Sequence, residues 1–174
     1  NFSALRDRGP FDFPPMETPD IRCVKALGQK RVGGYGIIWG DETSKDLYDE
    51  WFTPATKEMT VVFDSIKKLP YLYNHAMDGS LKTSVMGVID TLEEDEIGLW
   101  YEAQLDMSNK YREAFLDLTR KNRIGSSSGT LPGARDVAKS GEILRWPIVE
   151  ISATPTPADL RHISDRPIQI VKTL

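Results

Sequence analysis

Only one stretch of this sequence, Ser108 to Lys121, carries sustained helical periodicity: Tyr111, Ala114, Phe115 and Leu118 recur at helical spacing and make one apolar face. The other apolar residues come in short runs bounded by turn residues, with no strand–helix–strand alternation. A chain patterned in this way is mainly β with peripheral helices, an α+β chain, and the expected architecture is a closed antiparallel β-barrel.

The runs are read in chain order. Asn1 to Asp20 holds Pro10, Pro14, Pro15 and Pro19, so residues 1–20 are expected to form an extended N-terminal arm pinned by Phe11 and Phe13. Residues 21–174 then form a single domain, the size expected for one core. Ile21 to Leu27 and Arg31 to Gly40 read as a hairpin, the second strand curved at its glycines. Asp41 to Pro54 reads as an irregular loop. Thr56 to Lys68 fits either a short helix or a strand. Strands are expected at Leu69 to His75, Thr83 to Leu92 and Ile97 to Leu105, with Glu93-Glu94-Asp95-Glu96 as a solvated hairpin tip. Ser108 is the expected cap of the one clear helix. Further strands are Ile124 to Leu131, Glu142 to Trp146, Val149 to Thr154 and an edge strand at Pro167 to Val171, with a loop at Ala134 to Ser140.

Composition narrows the function. With 40% hydrophobic and 28% charged residues the chain falls in the soluble, globular class. A net charge of -4 disfavours nucleic acid as the partner, because phosphate binding needs a basic footprint. No apolar run approaches the length of a membrane span, and no signal-peptide pattern is present, so no membrane partner is expected. The single cysteine, Cys23, allows no internal disulfide and reads as a small core residue in a reducing compartment. The first residue, Asn1, is not Met, which suggests that the native start has been trimmed.

Three stretches carry candidate chemistry. Ile124-Gly125-Ser126-Ser127-Ser128-Gly129-Thr130 sets three hydroxyls between two glycines. A serine hydroxyl is a poor nucleophile near neutral pH and needs an adjacent base, which in turn needs an orienting group. The chain has two histidines, His75 at the end of a strand and His162 in a charged stretch. Glu150 stands out as a carboxylate in the β-like run Ile148-Val149-Glu150-Ile151-Ser152, costly if buried and unpaired. Strand alternation puts Ser126 and Ser128 on one face and Ser127 on the other. Gly125 and Gly129 bracket Ser127 and leave space and main-chain N–H groups beside it, which points to Ser127 without deciding among the three.

The order and spacing of these pieces resemble the prohead (capsid-maturation) serine proteases of tailed bacteriophages, a family that shares its fold with the assemblin proteases of herpesviruses. The matching pieces are Leu72-Tyr73-Asn74-His75, the helix running to Arg123, Gly125-Ser126-Ser127-Ser128-Gly129, and Val149-Glu150-Ile151-Ser152 with Pro157-Ala158. Asp46 to Pro54 is similar to the loop before the family's histidine strand. The resemblance runs from about Ile21 to about Asp159.

It implies a serine endopeptidase with Ser127 as nucleophile, His75 as general base and Glu150 as orienting acid. The family commonly has a bulky apolar residue on either side of its serine, where this chain has Ser126 and Ser128. A herpesvirus-like arrangement would use a second histidine, and His162 is the candidate, ranked below Glu150. Arg135, Arg145 and Arg161 are the candidates for an oxyanion-stabilising arginine. The implied substrates are scaffold protein and the major capsid protein, cut inside the immature phage capsid in the bacterial host cytoplasm. Self-processing of precursor ends fits the start at Asn1. No metal or organic cofactor is implied, and a homo-oligomer is compatible. The alternative is a catalytically inactive structural or scaffold module of a virion with the same fold.

Overall fold

Alternation of apolar and polar residues over Val85–Glu94 and Gly98–Leu105 builds the long hairpin at the centre of the molecule. Its tip is closed by Asp95, whose Oδ1 accepts the main-chain N–H groups of Ile97 at 2.7 Å and Gly98 at 3.0 Å. A computed structural model describes residues 30–77 and 85–171. The expected arm at 1–20, the strand at Ile21 to Leu27 and Cys23 lie outside the described residues.

The described strands are β1 (Arg31–Ile38), β2 (Trp51–Lys57), β3 (Leu69–Tyr73), β4 (Val85–Glu94), β5 (Gly98–Leu105), β6 (Gly125–Thr130), β7 (Asp136–Val137), β8 (Glu142–Arg145), β9 (Ile148–Thr154) and β10 (Gln169–Val171). Three helices accompany them: α1 (Val61–Ile66), α2 (Arg112–Arg120) and α3 (Arg161–Ser164). A seven-stranded sheet runs β10-β1-β5-β4-β3-β9-β6, and a smaller sheet runs β2-β8-β7. Within the described residues no helix is long and apolar enough to cross a membrane.

Among the described residues the large sheet is open, and the expected closed antiparallel barrel is not shown. The large sheet curls until edge strand β6 stands against β1, yet no ladder joins the two among the described residues. The seam is filled by side chains instead: a Cβ at Gly34 would lie 3.1 Å from Ser126 Oγ. The sheet is also mixed, because β3 runs parallel to β9, and β2 runs parallel to β8. Parallel neighbours need a long crossover, and the chain from β3 to β9 supplies one in the β4–β5 hairpin, α2 and β6–β8.

The core inside the curl is held by Tyr71, Tyr101, Ile89, Leu99, Ile151 and Leu116, all essentially inaccessible. Tyr71 and Tyr101 pack with ring centroids 5.5 Å apart. Helix α2 buries Phe115, Leu116 and Thr119, while Tyr111 stays 46% exposed, so its inward face is turned from the one the periodicity predicts. Ser108 does not cap it. That hydroxyl donates to Asp106 Oδ1 at 2.7 Å, and the helix starts after Tyr111, whose own N–H donates to Asn109 Oδ1 at 2.9 Å. The ambiguous stretch Thr56 to Lys68 resolves as the end of β2 followed by α1, and β2 begins at Trp51, inside the expected loop.

Candidate active site

Edge strand β6 carries the three serines, and its register with β9 sorts them. Ser126 lies opposite Ala153, Ser127 opposite Ser152, Ser128 opposite Ile151 and Gly129 opposite Glu150. Residues directly opposite share a face. Ser126 and Ser128 therefore face inward with Ala153 and Ile151, and Ser127 shares the outer face with Ser152 and Glu150.

The inward pair is committed elsewhere. Ser126 is fully buried and its hydroxyl meets that of Tyr101 at 2.8 Å, which in turn meets Tyr71 at 3.2 Å. Ser128 Oγ accepts the indole N–H of Trp146 at 3.2 Å. Ser127 Oγ has no such side-chain partner among the described residues.

His75 reaches the same face from β3, the other neighbour of β9. Leu72 and Tyr73 pair with Ser152 and Ala153, and the chain then turns sharply through Asn74–Ala76. Asn74, His75 and Ala76 have φ of 48°, 54° and 57°, three successive non-glycine residues in the left-handed region. Each such residue costs about 1–2 kcal/mol unless its surroundings hold it. Here β9 holds it twice. The His75 main-chain N–H donates to Ser152 Oγ at 3.0 Å, and the Thr154 hydroxyl donates to Asn74 Oδ1 at 3.0 Å.

The imidazole meets Glu150, with Nδ1 to Oε1 at 2.6 Å. An ionised carboxylate only accepts, so Nδ1 carries the shared proton and Nε2 is left as the basic nitrogen. The hydrogen bond to Glu150 raises the His75 pKa above its ordinary 6.5; partial burial opposes this, and the Coulomb attraction of Glu150 adds to it. The second carboxylate oxygen, Oε2, accepts the Ser152 hydroxyl at 2.7 Å. Glu150 is thus not an unpaired charge in a strand, but one gripped at both oxygens.

His75 and all three serines, Ser126, Ser127 and Ser128, line a cleft of about 210 Å³, walled by Phe52, Trp146, Arg135 and the loop around Asp46. Asp46 shapes that loop by accepting the N–H groups of Tyr48 at 2.8 Å and Glu50 at 3.0 Å. Of the three arginines, Arg135 lines the cleft, where it forks onto Glu50 at 2.8 and 3.0 Å and lies over the Trp146 ring. Arg145 is paired with Glu58, and Arg161 with Asp159 and the Trp39 carbonyl.

His162 also borders the cleft, but it makes no hydrogen bond to His75 or Glu150. It is 4% exposed on α3, which packs against β6 and β1. Its Nδ1 is buried without a partner among the described residues. Burial pushes its pKa down to about 4 against the opposing charge of Asp159. Among the described residues, no group of three or more His, Cys, Asp or Glu side chains is arranged to hold a metal ion.

Two contributors went unassigned in the sequence. Ser152 was visible only as the end of Glu-Ile-Ser, and Thr154 only as a strand terminus. Both act through the main chain or side chain of a segment far earlier in the chain.

Ser127 and Glu150 thus share one face of the β6–β9 ladder, and His75 meets Glu150 there. The sequence matches the caudovirus prohead serine protease family over residues 18–166, and the chain belongs to that family. No curated protein matches it. Among solved structures it is similar to the varicella-zoster virus protease, at 12% identity and a TM-score of 0.47, covering 81% of this chain and 64% of that one. It is also similar to the KSHV protease in complex with a hexapeptide phosphonate inhibitor, at 10% identity and a TM-score of 0.46, covering 81% and 65%. A further structure of the KSHV protease gives 12% identity and a TM-score of 0.43, covering 81% and 61%. The chain therefore spans less than two thirds of the length of those viral proteases.

Proposed function

We propose that this chain is a serine endopeptidase that cuts capsid-related proteins during maturation of a phage prohead. The observation that carries this reading is the His75–Glu150 hydrogen bond on the face of β9 that Ser127 shares. Family membership supports the same reading independently.

In this mechanism His75 Nε2 takes the Ser127 hydroxyl proton as Oγ attacks the scissile carbonyl carbon. His75 then returns the proton to the departing amine as the C–N bond breaks. Water, deprotonated by the same nitrogen, releases the acyl group and restores Ser127. Glu150 fixes the tautomer and stabilises the imidazolium. Main-chain N–H groups of β6, an edge strand among the described residues, serve as the oxyanion donors in this reading. The substrates are the scaffold protein and the major capsid protein, met inside the immature capsid in the host.

The test is co-expression of the chain with scaffold and major capsid protein from the same phage, read by mass spectrometry of the products. Wild type should give discrete cleavages, and Ser127→Ala should give none. Unchanged cleavage by Ser127→Ala overturns the assignment, and Ser126→Ala and Ser128→Ala then identify the serine that attacks. Absence of cleavage by wild type favours an inactive structural module.

A further inference from the structure

The base and its acid are joined by a third group that the chemistry above does not use. Ser152 is fully buried in β9 between Glu150 and Thr154. A serine hydroxyl offers one proton and two lone pairs. Here the proton goes to Glu150 Oε2, and one lone pair takes the main-chain N–H of His75. That N–H lies beyond the end of β3, where the ladder no longer supplies a partner. The residue that carries it is in the left-handed region, a conformation that is sparsely populated by non-glycine residues. The same atom therefore restrains the backbone under the imidazole and the carboxylate in front of it. Ser152 also stands directly across the ladder from Ser127, so its position is referenced to the nucleophile's own strand.

The geometry points to Ser152 as the positioning residue of the site, one hydroxyl that fixes both the main chain carrying His75 and the carboxylate orienting it. The assignment rests on the reading of His75 as base and Ser127 as nucleophile. Without the hydroxyl, Glu150 keeps one anchor and swings about it, and the turn at 74–76 loses its central tie. His75 then keeps its partner but not its aim. Substrate binding, which uses the cleft walls, is untouched. Misplacement of a catalytic group by about 1 Å costs about 100-fold in turnover.

The experiment compares wild type, Ser152→Ala and Ser152→Thr on a scaffold-derived peptide, with Ser127→Ala and His75→Ala as controls. Ser152→Ala should lower kcat by about 100-fold and leave KM within about twofold. Ser152→Thr keeps the hydroxyl and should recover most of that loss. A second readout does not involve turnover: in the Ser127→Ala background, Ser152→Ala should speed hydrogen exchange at the His75 amide by about tenfold or more. Wild-type kcat in Ser152→Ala, with both controls inactive, overturns the assignment and leaves the proposed function standing. Unchanged exchange at the His75 amide also overturns it. Undiminished cleavage by Ser127→Ala or His75→Ala overturns the proposed function itself, and the assignment with it.

Discussion

Glu150 Oε1 occupies the space over Gly129 where any other side chain would begin: a Cβ there would lie 1.9 Å from that oxygen. The two residues are register partners across β6 and β9, and the missing side chain is what lets the carboxylate fold back towards His75. Gly129→Ala should therefore drive Glu150 off the imidazole. We expect cleavage to fall by about 100-fold while the far-ultraviolet circular dichroism is unchanged. Full activity in Gly129→Ala would show that the carboxylate has another route to His75.

Adjacent serines should respond in opposite ways. Ser126→Ala removes the 2.8 Å partner of the buried Tyr101 hydroxyl, which keeps Tyr71, and should cost about 0.5–1.5 kcal/mol of stability while cleavage persists. Ser127→Ala should change stability by less than about 0.5 kcal/mol and abolish cleavage. Urea unfolding and product analysis on the same two variants separate the roles.

The His75–Glu150 bond also sets a pH dependence. The base works only when neutral, so turnover should fall as pH drops through the His75 pKa, which lies above 6.5. Glu150→Gln removes the cause of that elevation, so the acidic limb of the pH–rate profile should move to lower pH while the maximal rate drops by about 10² to 10⁴. The stability contribution runs the other way: with the folded pKa raised, it is complete below the unfolded value and is lost as pH rises through the folded one.

His162 should dominate at acid pH, with the opposite sign. Its folded pKa of about 4 lies below the unfolded value of 6.5, so the stability it supports is complete above 6.5 and erodes as pH falls towards 4. The loss deepens steadily as pH falls across that window. Thermal unfolding between pH 7 and 4 should show a steep loss in wild type and a shallower one in His162→Gln. Equal slopes would mean that another group controls acid unfolding.

What the sequence made legible is what depends on local alternation. The period of two in Ser126-Ser127-Ser128 separates the middle serine from its neighbours, and the register bears out that separation of faces. The carboxylate in Val149-Glu150-Ile151 was visible because it breaks an apolar run. Barrel closure was not legible, because an open curl and a closed barrel share the same alternation and differ only in whether β6 and β1 exchange hydrogen bonds. Nor was the orientation of β3 beside β9, which is a matter of chain path. Ser108 misled because a competing acceptor, Asp106, sits two residues away. Ser152 was invisible as a contributor because its bond is to a main-chain N–H 77 residues earlier.

The left-handed turn at Asn74–Ala76 has a consequence for timing. Its two tethers come from Ser152 and Thr154, which follow it by 77 and 80 residues. During synthesis His75 leaves the ribosome long before either, and before its acid. Until β9 docks, nothing offsets the local preference of those three residues for ordinary backbone angles. The geometry at His75 is thus a late product of folding, completed only after β9 has been made and has docked.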